Sequence, residues 1–257
     1  LRRHVERKLA QSQANRDEVV AGLRDSEARS LFTELRKAAN HPLLLRRKYS
    51  SEQLTLMAKT LHRAEFFGSQ CTIEMVMKEL EGYCDFDLHQ CCLQFPGTLD
   101  HLTLSESILF ESSKMVYLRQ ILPELFADGH RVLLFSQWTR LLDIMELLMG
   151  DLGVDYLRLD GSTAVRERQQ LIDRFNAEPI PVFLLSTKAG GLGINLTAAD
   201  TVIIHDLDFN PENDRQAEDR CHRIGQKKPV RVIKLYTRGT VDENIFRISQ
   251  RKQQLGA

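Results

Sequence analysis

The chain has 257 residues, 42% hydrophobic and 27% charged, a balance that excludes disordered and fibrous classes and predicts one large globular domain or two small ones. No run approaches the ~20 apolar residues of a membrane-spanning helix, so a helical membrane protein is excluded as well. The 35 basic and 35 acidic side chains cancel overall but not locally: residues 1–63 carry 14 basic against 7 acidic, residues 64–130 only 3 against 11, residues 131–205 7 against 9, and residues 206–257 11 against 8.

The chain opens on Leu1 rather than Met, without the apolar stretch and cleavage site of a signal peptide, and so reads as a fragment of something longer. Residues 1–65 form a helical prefix, with Leu31, Leu35, Leu54, Met57 and Leu61 at helical spacing and a break at Asn40-His41-Pro42. Residues 66–111 have weak periodicity, much of the acidic charge and four of the five cysteines, and are expected to be an irregular acidic insertion or a helical subdomain. Cys71, Cys84, Cys91, Cys92 and Cys221 are an odd, irregular set, which argues for a reducing compartment, cytosol or nucleus.

A further helix is expected around Met115, Leu118, Leu122 and Leu125. From residue 131 onward, β-branched apolar runs alternate with stretches of helical period. Strands are expected at 131–136, 154–159, 181–186, 201–205 and 230–236, and helices at 138–149, 165–176, 212–223 and 241–255, giving an α/β fold with an open parallel sheet. Such sheets carry their chemistry at the C-terminal strand ends, near Ser136, Asp160, Thr187 and Asp206.

The run at 186–195 follows a strand with Thr187, Lys188 and three glycines, a composition that lets backbone approach a phosphate. The third glycine of a dinucleotide fingerprint is absent, since Leu196 stands there. On the helix expected at 212–223, Gln216, Asp219, Arg220 and Arg223 recur at three and four, which aligns a carboxamide and two guanidinium forks suited to a triphosphate. A solvated face is the plainer reading of such a stripe. Cys84, His89, Cys91 and Cys92 offer zinc-ligand atoms, but the adjacent cysteines suit tetrahedral ligation poorly and no second paired motif follows, so no metal is expected here. Asp206 and Asp208 are expected to cap or pair rather than to catalyse.

These motifs together resemble a known family. Val132-Leu133-Leu134-Phe135-Ser136-Gln137-Trp138, Leu157-Arg158-Leu159-Asp160-Gly161-Ser162-Thr163, the 186–195 run, and Asn210-Pro211 followed by 214–226 are similar, in order and spacing, to the C-terminal helicase lobe of Swi/Snf-type chromatin-remodelling ATPases. Leu35-Arg36-Lys37-Ala38-Ala39-Asn40-His41-Pro42-Leu43-Leu44 resembles the segment by which that family enters its second lobe, so the likeness covers nearly all of the chain outside 66–111. Cys221-His222 and the acidic insertion look closest to the DEAD/H-box-containing SMARCA branch.

The resemblance implies a RecA-like sheet over 112–257, the second lobe of a P-loop NTPase motor, in a nuclear protein that uses ATP and Mg2+ to translocate double-stranded DNA on nucleosomes. It implies that Arg220 and Arg223 are arginine fingers, that Gln216 contacts the cleft, and that Gly191, Gly193 and Asn195 border the nucleotide. Ser136, Gln137, Gly161, Ser162, Thr187 and Lys188 would hold DNA by its phosphates. No Gly-Lys-Thr or Gly-Lys-Ser loop exists in the chain, and its one early acidic pair, Asp17-Glu18, follows no apolar strand. The nucleotide cradle and magnesium ligands are therefore expected in a first lobe of the same parent, and the chain alone is expected to hydrolyse nothing. The alternative is an inert DNA-binding or inhibitory fragment.

Overall fold

Five short runs with alternating inward faces build the centre of the molecule. The structure, a computed structural model, describes residues 25–190, 194–221, 226 and 228–255. The strands are β1 (Val132–Ser136), β2 (Tyr156–Leu159), β3 (Val182–Ser186), β4 (Thr201–Ile204) and β5 (Arg231–Lys234), close to the expected positions. They form one sheet in the order β2-β3-β1-β4-β5, with every neighbouring pair parallel.

Along β1, Val132 and Leu134 enter the core on one face while Leu133 and Phe135 enter the core on the other, and β3 sorts Val182 and Leu184 from Phe183 and Leu185 in the same way. Burial on both faces explains why these strands read as continuous apolar runs rather than as alternating ones.

The helices are α1 (Asp25–Asn40), α2 (Ser51–Arg63), α3 (Ile73–Glu81), α4 (Asp85–Leu93), α5 (Glu106–Leu109), α6 (Ser113–Ala127), α7 (Thr139–Asp151), α8 (Val165–Ala177), α9 (Thr187–Gly190), α10 (Pro211–Glu218) and α11 (Val241–Leu255). α6 and α7 cover one face of the sheet through Met115, Leu118, Leu122, Leu141, Ile144 and Leu148. α8, α10 and α11 cover the other through Ile172, Phe175, Ala217 and Ile245. The helix expected at 212–223 ends at Glu218, and residues 219–221 form a turn, so Gln216 and Arg220 do not continue one helical stripe.

Residues 66–111 are regularly helical over α3 and α4. Their apolar faces (Val76, Leu80, Leu88, Cys91, Cys92) share a third core with Leu54, Met57 and Leu61 of α2, so the helical subdomain also takes in residues assigned by sequence to the prefix. Local signals start these helices: Ser50 and Gln53 form a reciprocal capping box on α2, and Thr72 caps α3.

Between α1 and α2 the chain turns at His41, whose Nδ1 accepts from Leu43 N and whose Nε2 donates to Leu109 O at 2.9 Å. Burial lowers its pKa to about 4, so the ring is neutral and both bonds persist at neutral pH. The turn drives Leu43 and Leu44 into the core of the sheet.

Nearby, the buried Lys114 ammonium donates to Asn40 Oδ1 at 2.7 Å and His205 O at 2.7 Å, and pairs with Asp242 at 2.6 Å. Three donors meet three oxygens from α1, the end of β4 and α11, which is how a buried ammonium is tolerated.

Candidate functional site

The C-terminal ends of β2, β3 and β1 are neighbours, so the turns after them share one edge of the sheet. After β2, Asp160 folds the chain back on itself: its Oδ1 accepts from Ser162 N at 2.8 Å and Ser162 Oγ at 2.6 Å. Arg158 steadies that carboxylate from the other side at 2.7 Å and also meets Asp143 and Glu146. Although burial disfavours the Asp160 charge, the bonds from Ser162 and Arg158 hold its pKa below the usual carboxylate value. Gly161 sits exposed at the tip, and a Cβ added there would meet no protein atom within 4 Å.

After β3, Thr187 and Lys188 begin α9; Lys188 is exposed and Thr187 half-buried. After β1, Ser136 is fully buried and its hydroxyl donates to Asp206 Oδ2 at 2.6 Å while accepting from Trp138 N. Ser136 was expected to touch DNA; with its hydroxyl committed inward, it supports the turn instead. Asp206 also accepts from Gln137 N at 2.8 Å. Burial would raise the pKa of Asp206, but neighbouring His205, the Ser136 hydroxyl and the Lys114 charge hold it low. Asp208 accepts from Asn210 N and Asn213 Nδ2, so both aspartates act as caps and anchors, as the sequence suggests.

A cleft of about 490 Å³ lies over this edge, lined by Gln137, Thr187, Lys188 and Gln216 together with Arg36, Trp138, Asp208 and Asn213. Sequence reasoning picked out the first four. It missed Arg36, which comes from α1: its guanidinium donates to Gln137 Oε1 at 3.0 Å and to Leu207 O at 3.3 Å, 101 and 171 residues away along the chain. No spacing pattern reports contacts so distant.

Of the residues expected at the nucleotide, Asn195 is exposed and its carbonyl accepts from Asn176 Nδ2. Leu196 N donates to Arg220 O at 3.2 Å, and Gln226 Nε2 donates to Thr197 O, Ala199 O and Cys221 O, so residues 196–199 are stitched to Arg220, Cys221 and Gln226. Arg220 is 6% exposed, and its Nε donates to Gln216 O at 2.9 Å. Gly191, Gly193 and Arg223 lie outside the described residues.

The cysteine-rich helix is not arranged for zinc. Cys84 Sγ donates to Asp87, His89 Nδ1 accepts from Leu104 N, and burial pushes the thiols of Cys84 and Cys91 up to about 12 and about 11. Among the described residues no group of three or more His, Cys, Asp or Glu side chains is placed to hold a metal ion.

Residues 113–225 match the family described as Helicase conserved C-terminal domain. The chain is 52% identical to Protein CHROMATIN REMODELING 19 of Arabidopsis thaliana, over 88% of this chain and 30% of that protein. It is 46% identical to the Homo sapiens SWI/SNF-related matrix-associated actin-dependent regulator of chromatin subfamily A containing DEAD/H box 1, over 90% of this chain and 22% of that protein. The crystal structure of the C-terminal part of the Fun30 ATPase domain superposes with a TM-score of 0.80 at 40% identity, covering 86% of this chain and 71% of that one. The chain belongs to the Swi/Snf family. It is a RecA-like helicase C-terminal lobe of the Swi/Snf chromatin remodellers, and it spans less than a third of the length of the curated Swi/Snf relatives named here.

Proposed function

We propose that this Swi/Snf lobe is the second half of an ATP-driven, double-stranded-DNA translocase that remodels nucleosomes in the nucleus. In this reading its sheet edge grips one DNA strand by the phosphates, and its 216–223 segment meets nucleotide held mainly by a first lobe of the same parent chain. The observation that carries the DNA half is Gly161. The Asp160 turn neither strains its backbone nor crowds a Cβ, so the fold itself makes no demand for glycine there. A phosphate drawn close to the backbone does make one. Thr187 and Lys188 follow along the same edge, with adjacent strands ~4.8 Å apart, and supply a hydroxyl and a cation without the fixed pattern of donors that reading bases needs, while the Ser162 hydroxyl, which donates to Asp160, holds the turn in shape.

For the nucleotide, the donor set fits a polyphosphate: the carboxamide of Gln216, the guanidinium of Arg220 and, from the sequence, that of Arg223. In this reading the ligands for Mg2+ are supplied by the first lobe of the parent chain. ATP bound there supplies a γ-phosphoryl group whose charge spreads during transfer, and planar arginine forks stabilise that charge better than a point charge does. Arg220 holds its fork inward in this structure and would turn out on closure of the two lobes.

One experiment with two arms tests the reading. In the two-lobed parent, Arg223→Ala is expected to cut DNA-stimulated turnover by about a hundredfold, roughly 2.7 kcal/mol of barrier, with nucleotide affinity little changed. In this chain, Gly161→Ala is expected to leave stability within about 0.5 kcal/mol of wild type while weakening duplex binding on every sequence tried. Near-normal turnover in the first arm would remove the arginine-finger assignment, and unchanged DNA affinity in the second would remove the phosphate edge.

A further inference from the structure

The side-chain amide of Gln137 has no donor left for DNA. Its Nε2 donates to Asp206 O at 3.3 Å and Leu207 O at 3.1 Å, and its Oε1 accepts from Arg36. Arg36 also donates to Leu207 O, and the guanidinium carbon lies 5.7 Å from the ring centroids of both Trp138 and Phe209. Phe32, one turn earlier on α1, packs on Phe209 at 5.3 Å, and Lys37 Nζ lies 5.8 Å from the Trp138 ring. One helix thus touches the turn after β1 and the turn after β4, and a single planar cation joins them. Those two turns are walls of the cleft that Lys188 and Gln216 also line.

Resting on the DNA reading above, we propose that Arg36 is a positioning residue: acting through Gln137 and the two aromatic rings, it fixes the spacing of the β1 and β4 turns and so makes the phosphate-gripping cleft depend on the placement of α1. A guanidinium can lie flat beside two rings while its edge donates to two acceptors. An ammonium cannot, so lysine is a poor substitute at this position.

Two readouts on the whole chain test this. The first needs no DNA. Trp138 is the sole tryptophan, so intrinsic fluorescence reports the bridge directly. Arg36→Ala and Arg36→Lys are both expected to shift its emission to longer wavelength, as water reaches a ring that the guanidinium had covered. Unchanged emission in both overturns the bridge.

The second readout is the affinity for a 30-bp duplex at several salt concentrations. Arg36→Ala is expected to weaken binding about tenfold while the slope of log K against log[salt] stays at the wild-type value. Lys188→Ala, by contrast, is expected to flatten the slope by about 0.9, one phosphate contact's worth. Arg36→Ala/Gln137→Ala is expected to bind no more weakly than the weaker single variant, because both changes break the same bridge. A slope loss of about 0.9 in Arg36→Ala with additive effects in the double variant would make Arg36 a phosphate ligand, and full affinity in Arg36→Ala would make it irrelevant to binding; either overturns the proposal. Failure of the wild-type chain to bind any duplex would sink the DNA reading instead, leaving the fluorescence arm to decide the bridge.

Discussion

Asp214 carries the least favourable charge beside the cleft. It is 2% exposed, one oxygen accepts from Asp208 N at 3.3 Å, and the other has no hydrogen-bond partner among the described residues. Burial raises its pKa to about 7, against the opposing pull of the Asp208 amide and Lys234. The folded value lies above the unfolded one, so the folded chain holds the extra proton between the two. This group is therefore least unfavourable below about pH 4 and destabilises increasingly as pH rises toward 7. Asp214→Asn is expected to be more stable than wild type by on the order of 2–4 kcal/mol at pH 8 and equal to it within about 0.5 kcal/mol at pH 4. Denaturant melts at the two pH values check this, and an equal difference at both would show a carboxylate ionised throughout. Nothing in the sequence marked Asp214, because its burial comes from the packing of α10 against the sheet. Lys188 and Thr187 were legible because strand ends mark themselves. Gln137 was legible for the same reason, but the partners of its amide, Arg36, Asp206 and Leu207, were not, since they come from elements far along the chain.

At the scale of elements, strongly apolar segments were readable and boundaries set by tertiary contacts were not. β1 and β3 stand where the continuous apolar runs put them. α10 stops at Glu218 without a glycine or proline to mark the end, as the chain turns so that Leu196 N can reach Arg220 O. The periodicity of α3 and α4 was weak because each has only nine residues and because α4 buries polar side chains, Asp85 and His89, along with its apolar ones. Asp85 explains part of that acidic segment. Both of its oxygens accept from Arg47 N and Lys48 N at 2.9–3.0 Å, so a buried carboxylate pins the loop leading into α2. Asp85→Ala leaves those amides unpaired and is expected to cost about 2–4 kcal/mol. Hydrogen exchange at Arg47 and Lys48 should rise with it, and unchanged protection would mean that the loop holds itself.

Across the whole molecule, the parallel character of the sheet follows from alternating strands and helices, and the likeness of motif order to a helicase lobe gave the fold class, whereas the strand order β2-β3-β1-β4-β5 was not legible because alternation permits several. The third core was not legible, since it joins α2 to α3 and α4 across a break in pattern. The chain passes through the sheet's core at Leu43 and Leu44, leaves to build the helical subdomain, and returns at Phe110, while Lys114 ties α1 to β4 and α11. Both stumps of the subdomain are thus anchored independently, so packing is expected to hold them together without covalent continuity once the protein is folded. A protease cut near the exposed Gly97 should give two bands on a denaturing gel and a single peak of undiminished size on native gel filtration. Two native peaks would show that the backbone, rather than the packing, holds the halves together. If they stay joined, the lobe can be severed there and remain one body.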